Sequence, residues 1–191
     1  IGAVRFLPFA QQKALLSFEG AFIMFAYLLA LGKFFTIIAA LDTGSSFEGM
    51  GASREALFSM LVEPAFFILM ATFAMFTGYT SFSVIFNHFF ITGNDYVLIY
   101  SIIGAYLLVQ ITMIENSRLP VDDPKTHLEL TMIHEVMILD YSGFDKALIH
   151  IAGYLKFAIY GSLIYNLVVP AGWDVILQIG LLFAVQGLGA G

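Results

Sequence analysis

The sequence predicts an all-α fold, a polytopic transmembrane helical bundle, and three observations predict it. Of the 191 residues 60% are hydrophobic and only 12% charged, with a mean hydropathy of +0.89. A soluble domain runs at about 45–50% apolar and about 25% charged. The apolar residues come in runs of about 20, the length a helix needs to cross a hydrocarbon core about 30 Å thick. No stretch alternates as a barrel strand does, and an open sheet cannot cross a bilayer.

These features exclude a soluble globular domain, a disordered chain and a nucleic-acid binder. The net charge of −6, from 8 basic and 14 acidic residues, leaves no basic footprint for a polyanion. The chain has no Cys. It therefore forms no disulfide, runs no thiol chemistry and holds no Fe–S cluster through thiolates. No small-residue cleavage site follows Arg5 and Lys13, so no signal peptide is predicted. The opening on Ile1 and the close at Gly191 inside an apolar run predict a fragment or trimmed product of a longer membrane protein.

Five spans follow in order: Phe18 to Leu41, about Glu55 to Gly78, Tyr96 to Ile114, Leu148 to Pro170, and a fifth from near Trp173. With no repeat, low-complexity tract or linker, residues 1–191 read as one transmembrane domain. Lys and Arg mark the cytoplasmic side. Arg54 lies between the first two spans, and Arg118, Lys125 and Lys146 lie between the third and fourth, whereas residues 79–95 carry neither. The Arg54 loop and the acidic segment at about 115–147 are thus expected to face the cytoplasm.

Two charges fall inside spans, where ionisable groups are costly and face a bundle interior or water. Lys33 precedes the end of the first span by eight residues and Glu63 follows the start of the second by eight. Both are expected roughly 12 Å into the membrane from one side, at 1.5 Å per residue. Equal depth on antiparallel neighbours allows them to pair, the alternative being a Lys33 that snorkels to the headgroups. Glu63 then reads either as half of a structural ion pair or as a proton-carrying carboxylate. Pro64 beside it removes a backbone donor and crowds the Met60 carbonyl, which asks for water or a side chain at that depth.

The richest stretch is residues 115–141. It holds six carboxylates (Glu115, Asp122, Asp123, Glu129, Glu135, Asp140), two histidines (His127, His134) and two basic residues (Arg118, Lys125). Pro120 breaks the third helix. Asp123-Pro124 reads as an N-cap with Pro at the first helical position, predicting a helix from Lys125 to Tyr141. Neighbouring carboxylates raise one another's pKa, and His titrates near neutrality unaided, so the set suits proton uptake and release. The bland alternatives are a surface of solvated charge and an ordinary Lys125–Glu129 pair. His134-Glu135 begins like a zinc-binding HExxH motif, but Ile138 stands at the second His position. No compact ligand spacing predicts a metal site.

The run Glu115 to Gly143, ENSRLPVDDPKTHLELTMIHEVMILDYSG, resembles the hallmark of the membrane subunit of group 4 NiFe hydrogenases, the formate hydrogenlyase subunit 4 family. That family is similar to subunit 1 of respiratory complex I, whose related pattern begins ETNRxPFD. Glu115, Arg118, Pro120, Asp122 and Glu129 fit the shared pattern. Gly51, Ala52, Arg54 and Glu63 fit a second one in GMGASREALFSMLVEP, and LLALGKFF with LDTGS at Leu28 to Ser45 matches the hydrogenase branch. Asp123 and His127 depart from complex I and favour the same branch.

The resemblance implies a subunit of about eight spans in the cell inner (cytoplasmic) membrane. Its expected work is to anchor a peripheral arm and couple electron transfer to proton or sodium translocation. No cofactor is expected in this chain; a NiFe centre and Fe–S clusters are expected in partners. Those partners would be hydrogenase large and small subunits, an Fe–S subunit and antiporter-like membrane subunits, within the lipid bilayer and without nucleic acid. Glu63, Glu115, Asp122, Glu129, Glu135, His134 and Lys33 are the candidate proton-handling residues, and Arg54 and Arg118 the loop organisers. The alternatives are a quinone-binding complex I subunit 1 and a structural anchor with no ion path. An independent transporter would show an inverted repeat or broken helix pair, and neither is apparent.

Overall fold

The computed structural model describes residues 16–91, 95–117 and 133–168. They form six helices: α1 (Ala21–Asp42), α2 (Ser46–Thr77), α3 (Phe82–Ile91), α4 (Asp95–Glu115), α5 (Ile133–Val136) and α6 (Gly143–Val168). Among the described residues there is no strand. α1, α2, α4 and α6 are long and apolar enough to cross a membrane. The fifth span expected from Trp173 lies outside the described residues.

α2 is the axis of the bundle. It packs against α1, α4, α3 and α5, while α4 also packs against α6. The turn Thr43 to Ser45 reverses the chain, so α1 and α2 run antiparallel. At 32 residues α2 is about 48 Å long, more than a bilayer core needs. The surplus lies at its start. The second span had been expected from Glu55, yet the helix already begins at Ser46, behind Ser45 at the N-cap position and with Glu48 in its first turn. That acid in the first turn suits the helix dipole. Arg54 is consequently not in a loop: it lies exposed within α2, with its Nη2 3.6 Å from Met50 Sδ. Pro64 is carried inside α2 without ending it.

The expected extramembrane segment 79–95 contains α3, whose Phe82, Ile85, Phe86 and Phe89 enter the main core. That core is built largely of aromatic rings. Phe25 meets Phe82 edge-on at 5.3 Å, Phe73 meets Phe89 at 5.2 Å, and Met70, Leu108 and Leu163 fill the centre. Such offset geometries add about 0.5–1.5 kcal/mol per pair beyond burial. Gly104 lets α4 approach α2 closely, since a Cβ there would fall inside the Phe73 ring. The outer faces of the long helices stay apolar and exposed, as at Leu61, Ile68, Met75 and Tyr106. In a chain of this composition such faces meet lipid.

A second, smaller cluster closes the other end of the bundle. Ala40 of α1 and Ala52 of α2 meet Ile133, Met137 and Ile138. Gly51 permits the contact, because a Cβ there would lie 3.1 Å from the Ile133 carbonyl oxygen and 3.0 Å from Met137 Cγ. The helix expected over Lys125 to Tyr141 ends at Val136 and passes into turns. Its first part lies outside the described residues. The end has a clear cause. Met137 and Ile138 turn into the small cluster, Asp140 N–H donates to Glu48 Oε1 at 2.9 Å, and Tyr141 Oη donates to the Ala39 carbonyl at 3.0 Å. These contacts replace further helix.

Candidate functional site

The end of the bundle carrying α5 also carries the charged side chains that the spans bury. Lys33 stands nine residues before the end of α1, and Glu55 nine residues after the start of α2. Each is therefore roughly 13 Å from the α1–α2 turn. Equal depth places them together: Lys33 Nζ is 3.0 Å from Glu55 Oε1. Glu115, the last residue of α4, completes the bridge, its Oε2 accepting from Lys33 Nζ at 2.9 Å. All three residues are more than nine-tenths buried. From α6, Lys156 Nζ reaches Glu115 Oε1 at 3.3 Å. Two ammonium groups thus face two carboxylates.

The anticipated partner of Lys33 was Glu63, and the structure corrects this. α2 starts nine residues before Glu55, and Glu63 lies about 12 Å deeper along the helix than Glu55. Glu115, expected at the head of a cytoplasmic loop, is instead the buried end of a membrane helix.

The cluster is held by an unusual backbone. After Glu115 the chain turns with Ser117 at φ +48°, among the described residues the one non-glycine position with positive φ. A left-handed conformation is costly without Gly or Asn. Here it delivers the Ser117 hydroxyl to Glu55 Oε2 at 2.9 Å. Asn116 closes the last turn of α4, its N–H and side-chain amide both donating to the Thr112 carbonyl. The Asn-Ser pair of the ENSR motif therefore shapes the site while Glu115 carries its charge.

Beside the cluster, toward the membrane interior, lies a small cleft. About 20 Å³ of it is open to the centre of a water molecule, room for about one water. Glu115 and Glu63 both line it, with Val62, Phe66 and Phe67 of α2, Ala26, Leu29 and Ala30 of α1, and Tyr160 of α6. Among the described residues no lysine or arginine pairs with Glu63. The cleft thus joins Glu115 of the charge-balanced cluster to a deeper acid that meets no cation among the described residues.

Of the other expected site residues, Arg118, Asp122 and Glu129 lie outside the described residues. His134 and Glu135 belong to α5, but their side chains are outside the description. Four contributors were missed. From sequence Glu55 reads as a span boundary, and Ser117 and Tyr160 give no charge signal. Lys156 is a lone cation in an apolar run, and the rule that singled out Lys33 reaches it equally. Glu48, fully buried with one oxygen on Asp140 N–H, also escaped notice. Among the described residues no three His, Asp or Glu come close enough to hold a metal ion.

Known proteins bear on this geometry. A family model described as NADH dehydrogenase matches residues 1–188. The chain belongs to that family. Within it, the chain is 33% identical over 153 residues to hydrogenase-4 component C of Escherichia coli (strain K12), covering 80% of this chain and 47% of that protein. It is 35% identical over 127 residues to formate hydrogenlyase subunit 4 of the same organism, covering 65% of this chain and 39% of that protein. The chain therefore spans about half the length, or less, of these curated relatives. The family match and the four long apolar helices agree on a multi-pass membrane protein.

Proposed function

We propose that this chain anchors and couples an energy-converting, formate hydrogenlyase-like hydrogenase complex in the cytoplasmic membrane. A peripheral arm of hydrogenase large and small subunits and an Fe–S subunit would transfer electrons. This chain would link that transfer to proton or sodium movement, beside antiporter-like membrane partners. With no cysteine of its own, it leaves NiFe and Fe–S centres to those partners, whose thiolates would hold them.

The observation that carries the proposal is the cleft shared by Glu115 and Glu63, next to the Lys33–Glu55–Glu115–Lys156 cluster. A balanced cluster alone is what a static tie between helices needs. A deeper acid that meets no cation among the described residues, opening on a water-sized space, is what a transfer site needs. Charge arriving at the docking face would disturb the balance between Glu55, Glu115 and the two lysines. The resulting change in ionisation would pass to Glu63 through the cleft. The acidic segment, with Asp122, Glu129, Glu135 and His134, would connect the arm to this cluster, and Arg118 would organise it.

The test is ion movement per electron in the assembled complex in sealed vesicles, for wild type, Glu63→Gln and Glu129→Gln. A lower ratio in both supports coupling. Wild-type ratios in both would leave the structural-anchor reading.

A further inference from the structure

Resting on the ion-path reading above, we infer that the hydroxyl of Tyr160, with one water in the cleft, passes protons between Glu115 and Glu63. Three observations point to it. Tyr160 lines the same cleft as both carboxylates and comes from a different helix than either. It is 4% exposed, with its ring set edge-on to Phe66 at 6.4 Å and 88°, so its place is fixed by packing. Among the described residues no group takes its hydroxyl in a hydrogen bond, although a buried tyrosine usually finds such a partner. Ser59 Oγ of α2 is likewise buried without a partner among the described residues, whereas Thr72, Thr77, Thr112 and Ser162 each return their hydroxyl to a carbonyl of the preceding turn. The phenol has no such recourse, because its oxygen stands too far from its own backbone.

The chemistry balances without a further reagent. A proton held on Glu115 goes to the cleft water, and that water gives one of its own to the phenol oxygen. The phenol releases its original proton to Glu63. One proton has moved from Glu115 to Glu63, the water and the phenol end neutral, and one negative charge has moved the opposite way. A carboxylate at each end and a donor-acceptor hydroxyl between them are the groups such a step requires. A hydroxyl with the ring locked by Phe66 has one rotor left, which lets it donate alternately to either side.

Tyr160→Phe removes only the oxygen and keeps the ring on Phe66. Ala30→Val narrows the cleft from α1 without touching the phenol. Both are made in the whole complex, with Glu63→Gln as reference. In both, the complex is expected to assemble and pass electrons while the ions moved per electron fall several-fold. In redox-difference infrared spectra, the carboxyl band that vanishes in Glu63→Gln is expected to shift in Tyr160→Phe, which a merely structural loss would not produce. A wild-type ratio in either variant, while Glu63→Gln lowers it, overturns the relay and leaves the ion path standing. A wild-type ratio in Glu63→Gln removes both.

Discussion

Lys33 Nζ lies 3.0 Å from Glu55 Oε1 and 2.9 Å from Glu115 Oε2, so one ammonium from α1 ties the start of α2 to the end of α4. Removing one partner of a buried ion pair leaves an uncompensated charge and costs about 3–5 kcal/mol. Lys33→Met is expected to destabilise the subunit by about that amount. Lys33→Met with Glu55→Gln should recover part of it, because the charge left behind is then smaller. Thermal denaturation of the detergent-solubilised complex checks both, and equal losses in the single and double variants would contradict the bridge.

Ser117 separates backbone cost from hydrogen-bond gain. Ser117→Ala keeps the strained φ and loses the bond to Glu55, with an expected cost of about 1–3 kcal/mol. Ser117→Gly loses the same bond but accepts a φ of +48° freely. It should therefore cost less than Ser117→Ala. The comparison is read in denaturation midpoints, and the reverse order would show that the backbone angle matters little.

These two sites show how far the sequence was legible. The long spans were plain because lipid demands unbroken apolar runs, and Lys33 was plain because a cation interrupts one. The start of α2 was not, since Ser46 to Arg54 reads as loop in polarity although Glu48 and Gly51 face a packed second layer of protein. That nine-residue error moved the predicted partner of Lys33 from Glu55 to Glu63. α3 was hidden because its 10 residues are too few for a span. Ser117 could not be found from spacing, as nothing in its side chain announces a left-handed backbone.

Close approach of glycines predicts sharp contrasts. Gly51→Ala should cost about 1–3 kcal/mol by overpacking, loosening α5 from α2 and speeding proteolysis of the α5–α6 connection. Gly49→Ala, with open space around its Cβ, should leave cleavage unchanged. The same contrast is expected between Gly104→Ala, which meets Phe73, and Gly153→Ala, which meets nothing. Matching behaviour within either pair would contradict the packing described.

Glu48 fastens the chain after α5 by accepting from Asp140 N–H. Glu48→Ala leaves that amide without its partner and should cost about 1–3 kcal/mol. Glu48→Gln retains an acceptor oxygen and should cost less. Hydrogen exchange at the Asp140 amide reports the difference: fast exchange in the alanine variant, slower in the glutamine variant.

The most direct measurement is the number of ions carried across a sealed vesicle for each electron passed, in the fully assembled complex bearing Glu63→Gln, with Glu63→Asp beside it. The deeper acid of the cleft should be needed for its proton-bearing carboxyl. Glutamine should therefore bring the ratio close to zero while electrons still flow, and aspartate should keep much of it. A glutamine complex that carries as many ions per electron as wild type would contradict the account.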